Sequence, residues 1–232
     1  MVTRQDISRA LDDEISWLRQ LVSDILTSKD LGPRLAFAAH FRKADATFSE
    51  AIAVALSMLS LFACKIDDHD LDRTLALRVM STVLNQQVSS FKLFMSGHTV
   101  AAGALFRQVI EGVALGLLFS VRSLNFRARF EAGQYTASGA VKDLRRRADD
   151  VHVRKQALRT FVDAYDFYHR YAHLTKLTMA ATMDFSRGAP ALGAFFDQAK
   201  LREYEKEVRS RVSFARTMPN AVHLICKNLT AW

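Results

Sequence analysis

Apolar residues recur three or four positions apart along almost the whole chain, which is the period of an amphipathic helix. From residue 3 to about 28, Ile7, Leu11, Ile15, Leu18, Val22 and Ile25 form one stripe and predict a first helix. "KDLGP" at 29–33 stops it, with Gly32 for the turn and Pro33 suited to the first position of a second helix that reaches about 64. "DDHDLD" at 67–72 supplies acidic caps for a third helix running to about 95. "SGH" at 96–98 breaks the chain before a fourth helix at 99–121. Beyond it the pattern predicts a helix from about 124 to 147, broken near "GQYTASG" (133–139), then one long helix over 150–182. "DFSRGAPALG" at 184–193 reads as a loop, and two helices split near Pro219 fill the rest. No strand pattern, repeat or linker rich in Pro, Gly or Ser interrupts this series. The expected fold is therefore all-α: one domain over 1–232, an antiparallel bundle of about seven to eight helices joined by short loops.

Composition agrees with that picture. Three prolines and nine glycines in 232 residues are too few for a turn-rich β fold. The longest apolar run, "AIAVALSMLSLFAC" at 51–64, is shorter than the ~20 residues a membrane span needs, so it reads as a buried helix. Six of the first 14 residues are acidic or basic, where a secretory signal would be apolar, so a cytoplasmic protein with no membrane partner is expected. Cys64 and Cys226 are isolated thiols without metal-binding or disulfide spacing.

The net charge of +8 is uneven. Residues 1–121 balance to −1, while 122–159 carry 10 basic against 4 acidic residues, centred on Arg145, Arg146 and Arg147. A basic stretch of this kind is a candidate surface for RNA or another phosphate-bearing ligand, or else a solvated helix face.

Two acidic or histidine-rich motifs fail on inspection. Asp68, Asp70 and Asp72 mimic positions one, three and five of a calcium loop, but Arg73 stands where Gly is required and Val79 where Glu is. His169 and His173 lie four apart in "YDFYHRYAHLTKL", yet Arg170 follows the first in place of the Glu of a zinc-protease helix. No metal or other cofactor is expected. Arg107 and Glu111 are more informative, because a charged pair four apart in "AAGALFRQVIEGVALGLLF" must find partners inside an apolar helix. The densest supply of neutral donors and acceptors is the Tyr/His face of 165–173. The expected arrangement packs helix 150–182 on helix 99–121, so that Tyr168, His169 or His173 approaches the pair.

These two segments together resemble bacterial helical families with an "A…LxRxxxE" helix followed, several dozen residues later, by a "YxxxSxxxH"-like helix. Such families are grouped loosely with the HEPN-like proteins, many of them RNA-cutting toxins or defence components. The resemblance spans roughly 99–180. Arg107 and Glu111 match its first helix, Tyr165 or Tyr168 and His173 its second; His169 departs from it, standing where a small hydroxyl residue is usual. It implies RNA-directed chemistry in which His173 is the general base toward a ribose hydroxyl and Arg107, beside Glu111, steadies phosphate charge. Tyr168, His169 and Arg145, Arg146 and Arg147 would then bind the substrate. The Arg-to-His spacing of HEPN nucleases also occurs at Arg34–His40, Arg147–His152 and Arg216–His223, but 22 arginines and 7 histidines make such pairs common. The alternative is a non-enzymatic helical module that binds a partner protein or, as a homodimer, itself. A pocket for a small ligand between helices is a third class.

Overall fold

A computed structural model describes residues 4–67 and 69–232, with side chains described from residue 14 onward. Among these residues the chain is all-α, with nine α-helices, three short 3-10 turns and one two-residue antiparallel ladder, β1 (Met183–Asp184) and β2 (Ala189–Pro190). The helices are α1 (Arg4–Thr27), α2 (Leu31–Ala63), α3 (Leu71–Met95), α4 (Thr99–Phe119), α5 (Phe126–Glu131), α6 (Ala137–Arg146), α7 (Lys155–His169), α8 (Lys176–Ala181) and α9 (Leu201–Thr230).

The fourth helix is the axis of the fold. Its residues Phe106, Val109, Ile110, Val113, Ala114 and Leu118 are at most 2% exposed, which its nearly unbroken apolar sequence dictates. Against it pack α3, α6 and α7, while α2 lies across α9 and α3. The α3–α4 hairpin is tight because Gly112 and Gly116 have no side chains: a Cβ there would fall 2.4 Å from Val83 Cγ2 and 2.7 Å from Met80 Sδ. Its turn requires Gly97 at φ +90°, where any Cβ would also meet the Phe195 backbone at 2.8 Å. Beside that turn, His98 Nε2 lies 2.8 Å from Asp30 Oδ2, joining the α3–α4 corner to the α1–α2 corner.

Several boundaries differ from expectation, each for a local reason. Helix α2 begins at Leu31, with Asp30 as its left-handed N-cap (φ 50°), so Gly32 sits inside its first turn rather than before it and Pro33 is its third residue rather than its first. The 150–182 segment is not one helix. It breaks after His169 into a 3-10 turn, and His173 and Thr175 are extended, because Thr175 and Thr178 cap each other reciprocally and start α8. Conversely α9 runs through Pro219 without a split. A mid-helix proline costs ~3 kcal/mol, but Met218, Val222, Ile225 and Leu229 on either side are at most 1% exposed, and their packing outweighs it. The expected acidic cap of α3 is present: Asp70 accepts the Arg73 N–H at 3.0 Å and its guanidinium at 2.8 Å, while Asp68 lies outside the described residues.

The largest difference concerns 51–64. Ala51, Ile52, Ala55 and Leu59 face the core, but Val54, Leu56 and Leu61 face outward at 46, 43 and 64% exposure. Among the described residues this apolar helix is covered on one side only. Helix α1 is similar, its stripe leaving Ile15, Leu18 and Val22 exposed; Ile7 and Leu11 lie outside the described side chains.

Candidate functional site

The expected packing of α7 on α4 is present, and it brings a charged pair against an aromatic face. Arg107 places Nε at 2.9 Å and Nη2 at 2.8 Å from one oxygen, Oε1, of Glu111. The same oxygen accepts the Tyr165 hydroxyl at 3.3 Å. Burial, and after it the negative charge of Glu111, pushes the Tyr165 phenol above its ordinary range, so the phenol stays protonated and donates. From Tyr165 the strip continues along the outside of α7: its ring lies 5.7 Å from that of His169, and His169 lies 4.8 Å from His173. Both histidines are exposed, and Glu111 is buried.

The partner of the pair is therefore Tyr165, not Tyr168, His169 or His173. Helical spacing explains the correction: Tyr165 and His169, four apart, lie about 40° apart around the helix, whereas Tyr168, three on from Tyr165, is rotated about 60° the other way and turns inward. Tyr168 is fully buried and donates to Glu207 Oε2 at 2.9 Å. Tyr171 donates to the other oxygen at 2.6 Å. It fits only because α4 has Gly103 there, since a Cβ would sit 2.3 Å from the ring. Burial first, and then Glu207, raises both phenols strongly.

Beneath them lies a second ionic cluster that the sequence did not reveal. Arg211, 1% exposed, is sandwiched by the rings of Phe106 (4.8 Å), Phe94 (5.0 Å) and Tyr168 (5.3 Å). Its Nη1 donates to Ser90 Oγ at 2.6 Å, and Ser90 in turn donates to the Ala102 carbonyl at 2.8 Å. Its Nε is 3.4 Å from Glu207 but is not aligned for a hydrogen bond, so the attraction is coulombic. The only advance signal was Glu207 and Arg211 four apart, hidden within the highly charged "LREYEKEVRSRV".

The three arginines at the end of α6 stand in solvent. Arg146 lies 3.8 Å from Asp143 and Arg147 3.5 Å from Asp150, loose contacts of exposed groups that contribute little to stability. Arg145 is likewise exposed. Among the described residues no group of three His, Cys, Asp or Glu side chains converges as a metal site. The strip can therefore offer two exposed imidazoles for proton transfer, a guanidinium for an anion, and a phenol.

Compared with known proteins, the chain matches no family model, no curated sequence and no solved structure. The HEPN-like resemblance thus rests on the two helices' motifs alone.

Proposed function

We propose that this chain is a helical interaction module that pairs with a second copy of itself through the outer face of α2. The observation that carries the reading is chemical. Between Glu50 and Lys65 the helix has no charged residue, yet Val54, Leu56 and Leu61 are exposed. A helix that is apolar all round belongs in a core or a membrane, and a solvated face carries charge. The 18-residue apolar stretch of α2 has a mean hydropathy of 1.7 and is 22% buried, whereas that of α4 has 1.5 and is 72% buried. An uncharged aliphatic patch is self-complementary under a two-fold axis, with no like charges to oppose.

Sedimentation equilibrium of the wild type and of Leu56→Lys/Leu61→Lys tests it. The reading expects a dimer that the variant converts to a folded monomer. A variant that still associates as the wild type does would overturn it. So would a monomeric wild type that enters neutral vesicles through α2.

A second reading, RNA-directed chemistry, is favoured by the strip of Arg107, Glu111, Tyr165, His169 and His173 and by the exposed Arg145, Arg146 and Arg147. It expects salt-sensitive RNA binding and cleavage that persists in EDTA. His173→Ala should abolish cleavage but leave binding intact. An absence of both binding and cleavage at low salt sinks this reading without touching the first.

A further inference from the structure

The antiparallel helices α7 and α9 close on each other at one end and stand open at the other. They are joined where Tyr168 meets Glu207 and where the rings of Phe161 and Phe214 lie 6.0 Å apart. Farther along, Arg154, which precedes α7, and Ala157 of α7 on one side, with Asn220, Leu224 and Lys227 of α9 on the other, line a cavity of about 820 Å³. Its floor is apolar: Val113 and Leu117 from α4, Leu144 from α6 and Phe214 from α9, all at most 9% exposed. Its mouth is basic. Arg154 and Lys227 lie on opposite sides, with His152 and His223 also lining it, and no Asp or Glu is among the described lining residues. The first turn of α7, which no side chain caps, borders the same opening. The turn that brings His152 there holds a non-glycine residue at φ +59°, a backbone state that costs free energy and persists only where its surroundings fix it.

We infer that this groove binds a free single-chain amphiphilic anion, with an alkyl or acyl tail on the apolar floor and a carboxylate or phosphate head between Arg154 and Lys227. The volume lies within the range of small-ligand pockets, and an apolar wall with a few convergent polar groups is their usual chemistry. The sign of the head follows from charge complementarity. Two permanent cations face one opening with no lining carboxylate to neutralise them, so a neutral head leaves them unpaired and a cationic one is repelled. This occupancy is independent of pairing through α2, because none of Val54, Leu56 or Leu61 lines the groove.

The test is titration calorimetry of the full chain with dodecanoate below its micellar range, and with dodecanol as the neutral counterpart. Wild type is expected to bind dodecanoate at least tenfold more tightly than dodecanol. Arg154→Gln/Lys227→Gln, both surface substitutions, should remove that preference while dodecanol still binds. Ala157→Trp, which fills the groove, should abolish binding of both; circular dichroism checks that it folds. Several results would overturn the proposal. They are no difference between the two ligands in wild type, dodecanoate binding that survives Ala157→Trp in a folded variant, and binding lost only in Leu56→Lys/Leu61→Lys. Uptake of the protein by phosphatidylglycerol vesicles that dodecanoate does not reverse also counts against it, since it assigns the cations to a membrane surface.

Discussion

Replacing Glu207 with alanine removes the one carboxylate facing a guanidinium that is 1% exposed, and strips the acceptor from two buried phenols, Tyr168 and Tyr171. Breaking one side of a buried ion pair costs ~3–5 kcal/mol, because the remaining charge stays desolvated. Arg211 keeps only the Ser90 hydroxyl and the faces of three rings, so little compensates it. Against a total stability of ~5–15 kcal/mol, Glu207→Ala should shift the urea midpoint far to lower concentration, read by far-ultraviolet circular dichroism at constant slope. Replacing the whole cluster should behave differently. Glu207→Leu with Arg211→Met, Tyr168→Phe and Tyr171→Phe leaves no buried polar group of this cluster unpaired, and its cost should be less than that of Glu207→Ala alone. If Glu207→Ala costs less than ~1 kcal/mol, or the fourfold variant is the less stable of the two, Arg211 is not the buried charge described here.

Gly103→Ala places a Cβ 2.3 Å from the Tyr171 ring, so it should cost ~1–3 kcal/mol in urea unfolding and weaken the Tyr171 bond to Glu207. Asp70→Ala should cost ~1 kcal/mol through the lost α3 cap. The Arg73 backbone N–H, and then its guanidinium, hold the Asp70 carboxyl below the usual range. A depressed carboxyl contributes stability above its unfolded value and loses it as pH falls through the folded one, so the gap between wild type and Asp70→Ala should close below about pH 4. Burial pushes the Cys226 thiol up to about 11 while Cys64 is exposed. In the Leu56→Lys/Leu61→Lys variant, which leaves Cys64 uncovered, a thiol reagent at pH 8 should therefore modify Cys64 at least tenfold faster than Cys226, and equal rates in the folded protein would contradict the partial burial of Cys226.

Much of the bundle was legible because its helices end on strong local signals. Asp70 before α3, "SGH" before α4 and the glycine-flanked break before α6 all act within one turn, so single residues betray them. What escaped was decided by tertiary contact. Pro219 signals a break, but the core contacts of Met218 and Val222 hold α9 together. Thr175 and Thr178 carry a capping signal that the aromatic periodicity around them masked. The Arg107–Glu111 pair could be foreseen because charges in an apolar helix need partners. Its partner could not be fixed, since Tyr165 and Tyr168 differ only in which face of α7 meets α4. Arg211 was invisible because a buried arginine reads like a surface one in a charged helix. The run at 51–64 shows a limit of another sort: periodicity reports that a helix is apolar all round, not whether its own chain covers it.

The most direct test of that last point is the mass of the wild-type protein in solution, by light scattering at micromolar concentration across a tenfold dilution. Pairing through α2 predicts twice the chain mass of 26.1 kDa, falling only on dilution. A single-chain mass at every concentration, from a protein that remains folded and soluble, would mean that the uncharged face of α2 tolerates water and that the assembly proposed here does not form.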